Sequence, residues 1–311
     1  FEKGEFVFRG ANKPVVAYGS KFKDCANGKL KEVADLVFDK YSQAPISIPS
    51  SDAEKLLNFL DLKTLPPALN HFDLIKSDGG VELSKEALKS IRDFIIHEDQ
   101  VEGRKLLEKF EGEPYGWSKD TTRYLVSAMF IASDIKLRIS GEDIKVKGPK
   151  AIEALKNVNG FNKIGISAYQ ANEKPTNEML ALSIRRLAQL TGESVAPLPD
   201  KIAEVVRRHF PEFQTRYSSI KTRLEYLKLP GQDKAQEVQD GLSEVLKGEG
   251  SDAAFRLGKP DSDLFDNLIW IANVYKGFEQ GMENSFKEAN AIRESIEALP
   301  DSGIPKELKE N

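Results

Sequence analysis

Residues 135–147, Ile-Lys-Leu-Arg-Ile-Ser-Gly-Glu-Asp-Ile-Lys-Val-Lys, alternate apolar and basic side chains around a turn. No other stretch restricts the fold as tightly. Strand side chains point to opposite faces in succession. Ile135, Leu137 and Ile139 therefore share a face with Ile144 and Val146 of a return strand, while Lys136, Arg138, Lys145 and Lys147 take the other. Ser140-Gly141-Glu142-Asp143 supplies the turn, where Gly141 accepts positive φ at little cost. The expectation is a β-hairpin with an apolar underside and four cations above it. That basic face suits phosphate, and it equally suits plain solvation.

The segments before the hairpin read as three helices. Ser84 opens the first, which carries Leu88, Ile91, Ile95 and Ile96, and the second runs over about 101–110 with Leu106, Leu107 and Phe110. After the Glu111–Trp117 turn, Ser118 caps the third, with Asp120 in its first turn and Leu125 and Met129 on its apolar side. Three helices and a two-stranded wing make the winged-helix order. Tyr115 and Trp117 offer stacking surfaces for bases or, as the plainer reading, fill the elbow between two helices.

The fold class that follows is mainly α with small β elements: a winged-helix-like module, then a helical domain with a long C-terminal helix. Ser77-Asp78-Gly79-Gly80 punctuates one side of the module and Gly148 the other, giving segments 1–78, 79–150 and 151–311. The first holds strand-like pieces at 6–9 and 14–18 and reads as an α/β segment that completes an upstream domain. Ser51-x-x-Glu54 there has the capping-box pattern for a short helix. In the last segment Leu264, Leu268, Ile271, Tyr275, Phe278, Met282, Phe286, Ile292 and Ile296 recur at helical steps, softened at Gly277 and Gly281.

Composition excludes several classes. Over 311 residues, 40% are apolar and 30% charged, which describes a globular protein with no run apolar enough to cross a membrane. Cys25 is the lone cysteine, so an internal disulfide and a cysteine-built zinc site are ruled out. His71, His97 and His209 are far apart and lack ligand spacing. Gly160-Phe161-Asn162-Lys163-Ile164-Gly165-Ile166-Ser167 nearly matches a phosphate-binding loop, but Ile166 stands where lysine is needed. No catalytic, cofactor-binding or metal residue is therefore expected. The chain starts at Phe1, which reads as an excised fragment.

Net charge is −4, so any anion-binding surface must be local. Residues 119–150 hold seven Lys/Arg against four Asp/Glu, whereas 230–311 hold nine against seventeen. The candidate DNA contacts are Lys136, Arg138, Lys145 and Lys147 of the wing, with Lys119, Thr122 and Arg123 at the start of the preceding helix. Four neutralised phosphates would give a log K against log salt slope of about −3.6. Asp120, Glu142 and Asp143 oppose such binding. A second basic group, Arg207, Arg208, Arg216, Lys221 and Arg223, has Glu204, Glu212 and Glu225 at pairing distance along a helix.

Several stretches resemble one family in their order: Glu113-Pro-Tyr-Gly-Trp-Ser-Lys-Asp-Thr-Thr-Arg-Tyr-Leu, Ile135-Lys-Leu-Arg-Ile-Ser-Gly-Glu-Asp-Ile, Ala151-Ile-Glu-Ala-Leu-Lys-Asn, Phe161-Asn-Lys-Ile-Gly-Ile-Ser and Asp252-Ala-Ala-Phe-Arg-Leu-Gly. The chain from about residue 80 onward is similar to the C-terminal part of BrxC, the large P-loop ATPase of BREX (bacteriophage exclusion) defence systems, and more loosely to PglY-type proteins. The resemblance implies a cytoplasmic bacterial complex that blocks phage replication, with other BREX proteins or self-association as partners. ATP and Mg would belong to an upstream part of such a protein. It implies a non-enzymatic scaffold here, and the alternative is a DNA-binding module contacting phosphates through the basic wing.

Overall fold

The computed structural model describes residues 5–14, 21–59 and 61–298, and the chain divides into two compact units, Phe1–Tyr169 and Gln170–Asn311. The first opens with strands β1 (Glu5–Phe8) and β2 (Ala11–Pro14), an antiparallel hairpin. Its turn residues Arg9 and Gly10 both take positive φ, at 50° and 77°, as a two-residue hairpin turn requires. Helix α1 (Phe22–Val37) follows, then the short α2 (Asp52–Asn58) and three single 3-10 turns between residues 62 and 73. Ser51 does not close the expected capping box on α2, since its hydroxyl donates to Asp52 instead, at 3.3 Å.

The module itself runs α3 (Glu86–Glu98), β3 (Gln100–Glu102), α4 (Gly103–Glu111), α5 (Lys119–Ile131), β4 (Ile135–Ile139) and β5 (Glu142–Ile144). Ser118 caps α5 as expected, its hydroxyl accepting from the Thr121 N–H at 3.0 Å. The β4–β5 turn is two residues, Ser140 at φ 52° and Gly141 at 87°, so Glu142 and Asp143 belong to the return strand. Ile135, Leu137 and Ile144 are fully buried, as the alternation requires.

Beyond β5 come α6 (Pro149–Leu155), α7 (Val158–Phe161) and β6 (Gly165–Ala168). The sheet order is β3-β6-β4-β5. Strand β6 lies between β3 and β4, pairing Ile166 with Val101 on one side and with Leu137 on the other. The expected boundaries lay after residues 78 and 150; the two compact units divide after Tyr169. The sheet cannot be completed without 165–168. On the other side, Ala44, Ile48, Leu56, Leu57 and Leu74 share one core with Leu88, Ile91 and Leu125. Each fully buried aliphatic side chain of this kind contributes about 1.5–3 kcal/mol over exposure.

The second unit is helical: α8 (Asn177–Thr191), α9 (Pro199–Tyr217), α10 (Ile220–Tyr226), α11 (Gln232–Lys247), α12 (Ala253–Gly258), α13 (Asp263–Glu279) and α14 (Met282–Glu297). Its core gathers Ile202, Val206, Phe210, Leu242, Leu257 and Ile271. Arg186 closes the end of α12 by donating to the carbonyls of Leu257 and Pro260 at 2.8 and 2.7 Å. The stretch read as one long C-terminal helix is two. Gly281 takes φ 87°, a left-handed conformation that ends the run and starts α14.

Candidate nucleic-acid interface

In a DNA-reading winged helix, the second helix of the helix-turn-helix lies in the major groove. Here that element is α5, preceded by α4. All ten residues from Thr121 to Phe130 are buried. A helix buried all round is a core element, not a surface one. What covers it is the segment before the module. Helix α2 packs along α5, and residues 46–50 cross its first turns. There the Thr121 hydroxyl donates to the Ile46 carbonyl at 2.7 Å and accepts from the Ile48 N–H at 3.3 Å.

Two of the seven expected contact residues are buried. Arg123 is 0% exposed. Its Nε and Nη2 donate to the Leu155 carbonyl at 3.2 and 2.8 Å, its guanidinium also reaches Ser50, and it pairs with Asp120. Burial pulls its pKa below the ordinary 12.5, opposed by Asp120. Thr122 is equally buried and donates to the Ser118 carbonyl at 3.3 Å. Both read as surface groups in sequence because they are polar and near a helix start. Backbone acceptors satisfy both when buried, a local one (Ser118) for Thr122 and a distant one (Leu155) for Arg123.

The other five keep some exposure, and each has a partner. Lys119 meets Glu111 at 3.3 Å. Asp143, directly across the ladder from Arg138, takes both Arg138 at 2.9 Å and Lys136 at 3.4 Å. Lys147 Nζ donates to the Phe59 carbonyl at 2.8 Å, and Lys145 lies 5.7 Å from the centroid of the Tyr169 ring. The second basic group is similarly engaged: Arg208 with Glu193, Arg216 with Glu212 and Arg223 with Glu283. Trp117 is 1% exposed and stacks on Phe110 at 5.0 Å, so it fills the elbow and offers no platform for bases.

The near-match to a phosphate loop is also absorbed by the fold. Asn157 caps α7 through the Gly160 N–H at 2.8 Å, and Ile166 is a buried residue of β6. Among the described residues no group of three or more His, Cys, Asp or Glu is placed to hold a metal. No helix among them is long and apolar enough to cross a membrane.

Residues 69–169 match the model of the BREX ATP-binding protein BrxC winged helix-turn-helix domain. Residues 69–169 are a BrxC-like region of BREX systems. The comparisons with curated proteins and with solved structures each find no match. The BrxC-type domain ends with β6, in agreement with the sheet order, and it begins at Leu69, within the cover over α5. Leu69 contributes directly, since its carbonyl accepts the Tyr124 hydroxyl. Burial pushes that hydroxyl up to about 12.

Sequence reading missed one polar cluster in the cover. Asp52, 4% exposed, holds Lys55 and His71 Nε2 at 2.9 Å each, and the His71 ring meets Tyr124 edge-on at 5.0 Å. Burial raises the Asp52 carboxyl, but the hydrogen bonds from Lys55 and His71 outweigh it and hold it below 3.8. A carboxylate whose pKa is depressed on folding adds stability above its unfolded value, and that contribution is lost as pH falls through the folded value. Asp52→Asn should thus lower the melting temperature of the first unit near neutral pH. The gap to the parent chain should close on acidification below 3.8, in thermal melts taken across the acid range.

Proposed function

We propose that this chain is a non-catalytic scaffold and interaction region of a cytoplasmic BREX ATPase, whose winged helix serves as a structural platform. The supporting observation is the burial of α5 from Thr121 to Phe130 beneath α2 and residues 46–50. Opening that cover would expose Ile48, Leu56 and Leu57, each worth about 1.5–3 kcal/mol of burial. A groove-reading helix needs the opposite arrangement. The engaged wing cations favour the same reading, because phosphate would have to displace Asp143 from Lys136 and Arg138.

Duplex DNA titrated against the full chain at about 50 and 200 mM salt should give no saturable binding at either. A slope near −3.6, lost when Lys136, Arg138, Lys145 and Lys147 are changed to Glu, would establish the DNA-binding alternative instead. ATP turnover by the purified chain would refute the non-catalytic part. Co-purification with the other proteins of its native complex is the positive expectation.

A further inference from the structure

In the first unit the end of α1 and the turn after α4 enclose a cavity of about 570 Å³. Phe38 and Tyr41 give it aromatic walls, Asp35, Asp39 and Glu111 give it carboxylates, and Gly116 lines it with backbone. The volume lies within the range of about 300–1,000 Å³ found for ligand pockets. Gly116 takes φ 68°, and a Cβ there would stand 2.8 Å from the Phe38 ring. The Lys40 N–H donates to the Pro114 carbonyl at 3.0 Å, and the Tyr41 hydroxyl donates to the Pro45 carbonyl at 2.9 Å. These contacts hold both rings in place. Tyr115 and Trp117 of the Tyr-Gly-Trp element are buried, whereas Gly116 between them reaches the cavity.

Two of the lining carboxylates are ill placed for the fold itself. A helix C-terminus favours cations, and like charges four residues apart repel. The last turn of α1 holds no basic residue, and Asp35 and Asp39 stand four apart across its end, facing one cavity. Glu111 is answered by Lys119 at 3.3 Å. Neither Asp35 nor Asp39 has an ion-pair partner among the described residues. The adjacent Lys40 lies over the Tyr115 ring, at 5.4 Å, instead of on either carboxylate. Departures from local preference of this kind collect at functional sites. The three carboxylates do not form a metal-holding group, so the lining suits an organic cation. A guanidinium is planar, stacks on aromatic faces and bonds carboxylates in its own plane.

We infer that this cavity receives an arginine side chain from a basic segment of a partner protein, with the guanidinium against the aromatic walls and its N–H groups on Asp35 and Asp39. Aromatic faces and unpaired carboxylates attract the same ligand by independent means. The bound cation also relieves the repulsion at the end of α1. The assignment rests on the interaction role proposed above and gives that role a chemical specificity.

The probe is a labelled Gly-Ser peptide carrying two Arg residues, and the control carries citrulline, neutral and of similar shape, in their place. Fluorescence anisotropy with the full chain should show saturable binding of the Arg peptide, about tenfold or more tighter than the citrulline peptide, and weaker in high salt. Asp35→Asn with Asp39→Asn should reduce binding about tenfold or more, yet melt no lower than the parent, because the repulsion at the end of α1 goes with the charges. Glu237→Gln with Asp240→Gln, an exposed acidic pair of the second unit, should bind as the parent does. Equal binding of both peptides, or binding of neither, overturns the inference. So does an equal loss in the Glu237 and Asp240 variant, which would mark a general attraction to an acidic chain. A lower melting temperature for the Asp35 and Asp39 variant would make those carboxylates structural and overturn it too. Free argininamide competing as tightly as the peptide would replace the partner segment by a small guanidinium ligand. If the Arg peptide fails while the chain still co-purifies with its complex, the cavity assignment falls and the interaction role stands.

Discussion

Gly103→Ala should unfold the first unit or destabilise it by about 3 kcal/mol or more, at the upper end of overpacking substitutions. Gly103 begins α4 directly after β3, and its N–H donates to the Ile164 carbonyl at 2.8 Å just before β6. A Cβ on Gly103 would stand 1.9 Å from the Phe161 carbonyl oxygen. Backbone occupies that space, so no side-chain rotation relieves the clash. Relief requires α7 to move away from α4, which breaks the approach of 161–164 to β3 and hence the register of β6. Because Trp117 lies in the first unit and Trp270 in the second, urea titration followed by fluorescence should show an early loss of the buried Trp117 signal. A melting temperature within about 2 °C of the parent would show that the contact is looser than described.

Arg123→Ala should cost about 3–5 kcal/mol, the range for removing one partner of a buried charged network. The change leaves the Leu155 carbonyl without its two donors, strips Asp120 of its closest cation and opens a cavity against Ser50. Arg123→Met tests the origin of the cost. It retains most of the apolar stem and removes only the polar head, so it should cost clearly less than Ala. Pairing it with Asp120→Ala should recover part of the remainder, because the stranded carboxylate goes too. Urea midpoints for the four chains give the comparison. If Arg123→Ala were neutral and duplex DNA binding were lost with it, the guanidinium would have to be a contact residue after all.

Most local signals were legible, the Ser51 capping box excepted, and distant pairings were not. Ser118, the alternation of Ile135 and Leu137 and Ser140-Gly141 each act within a few residues and do what their chemistry demands, whereas Gly281, read as softening one helix, ends it. Strand β6 carries only a short apolar run, and nothing local states that its neighbours are β3 and β4. The same holds for the cover over α5. Leu56 and Leu57 announce an apolar helix face, but not which helix it packs against. Thr121 and Arg123 look like a hydrophilic surface until the carbonyls of Ile46 and Leu155 are placed beside them. The exposure of Thr122 and Arg123 was misread for that reason. Polarity was taken for exposure, whereas backbone acceptors had already satisfied it.

The central position of β6 also dictates when this region can mature during synthesis. Strand β3 has one ladder neighbour, β6, so its edge stays unmatched until residues 165–168 have left the ribosome. Until then Val101 and Leu137 each lack the Ile166 that later bridges them, and the nascent module carries two unsatisfied strand edges. The last four residues of the sheet act as a closing stitch. Any expression boundary drawn before Tyr169 would leave that seam open and prone to association with other chains.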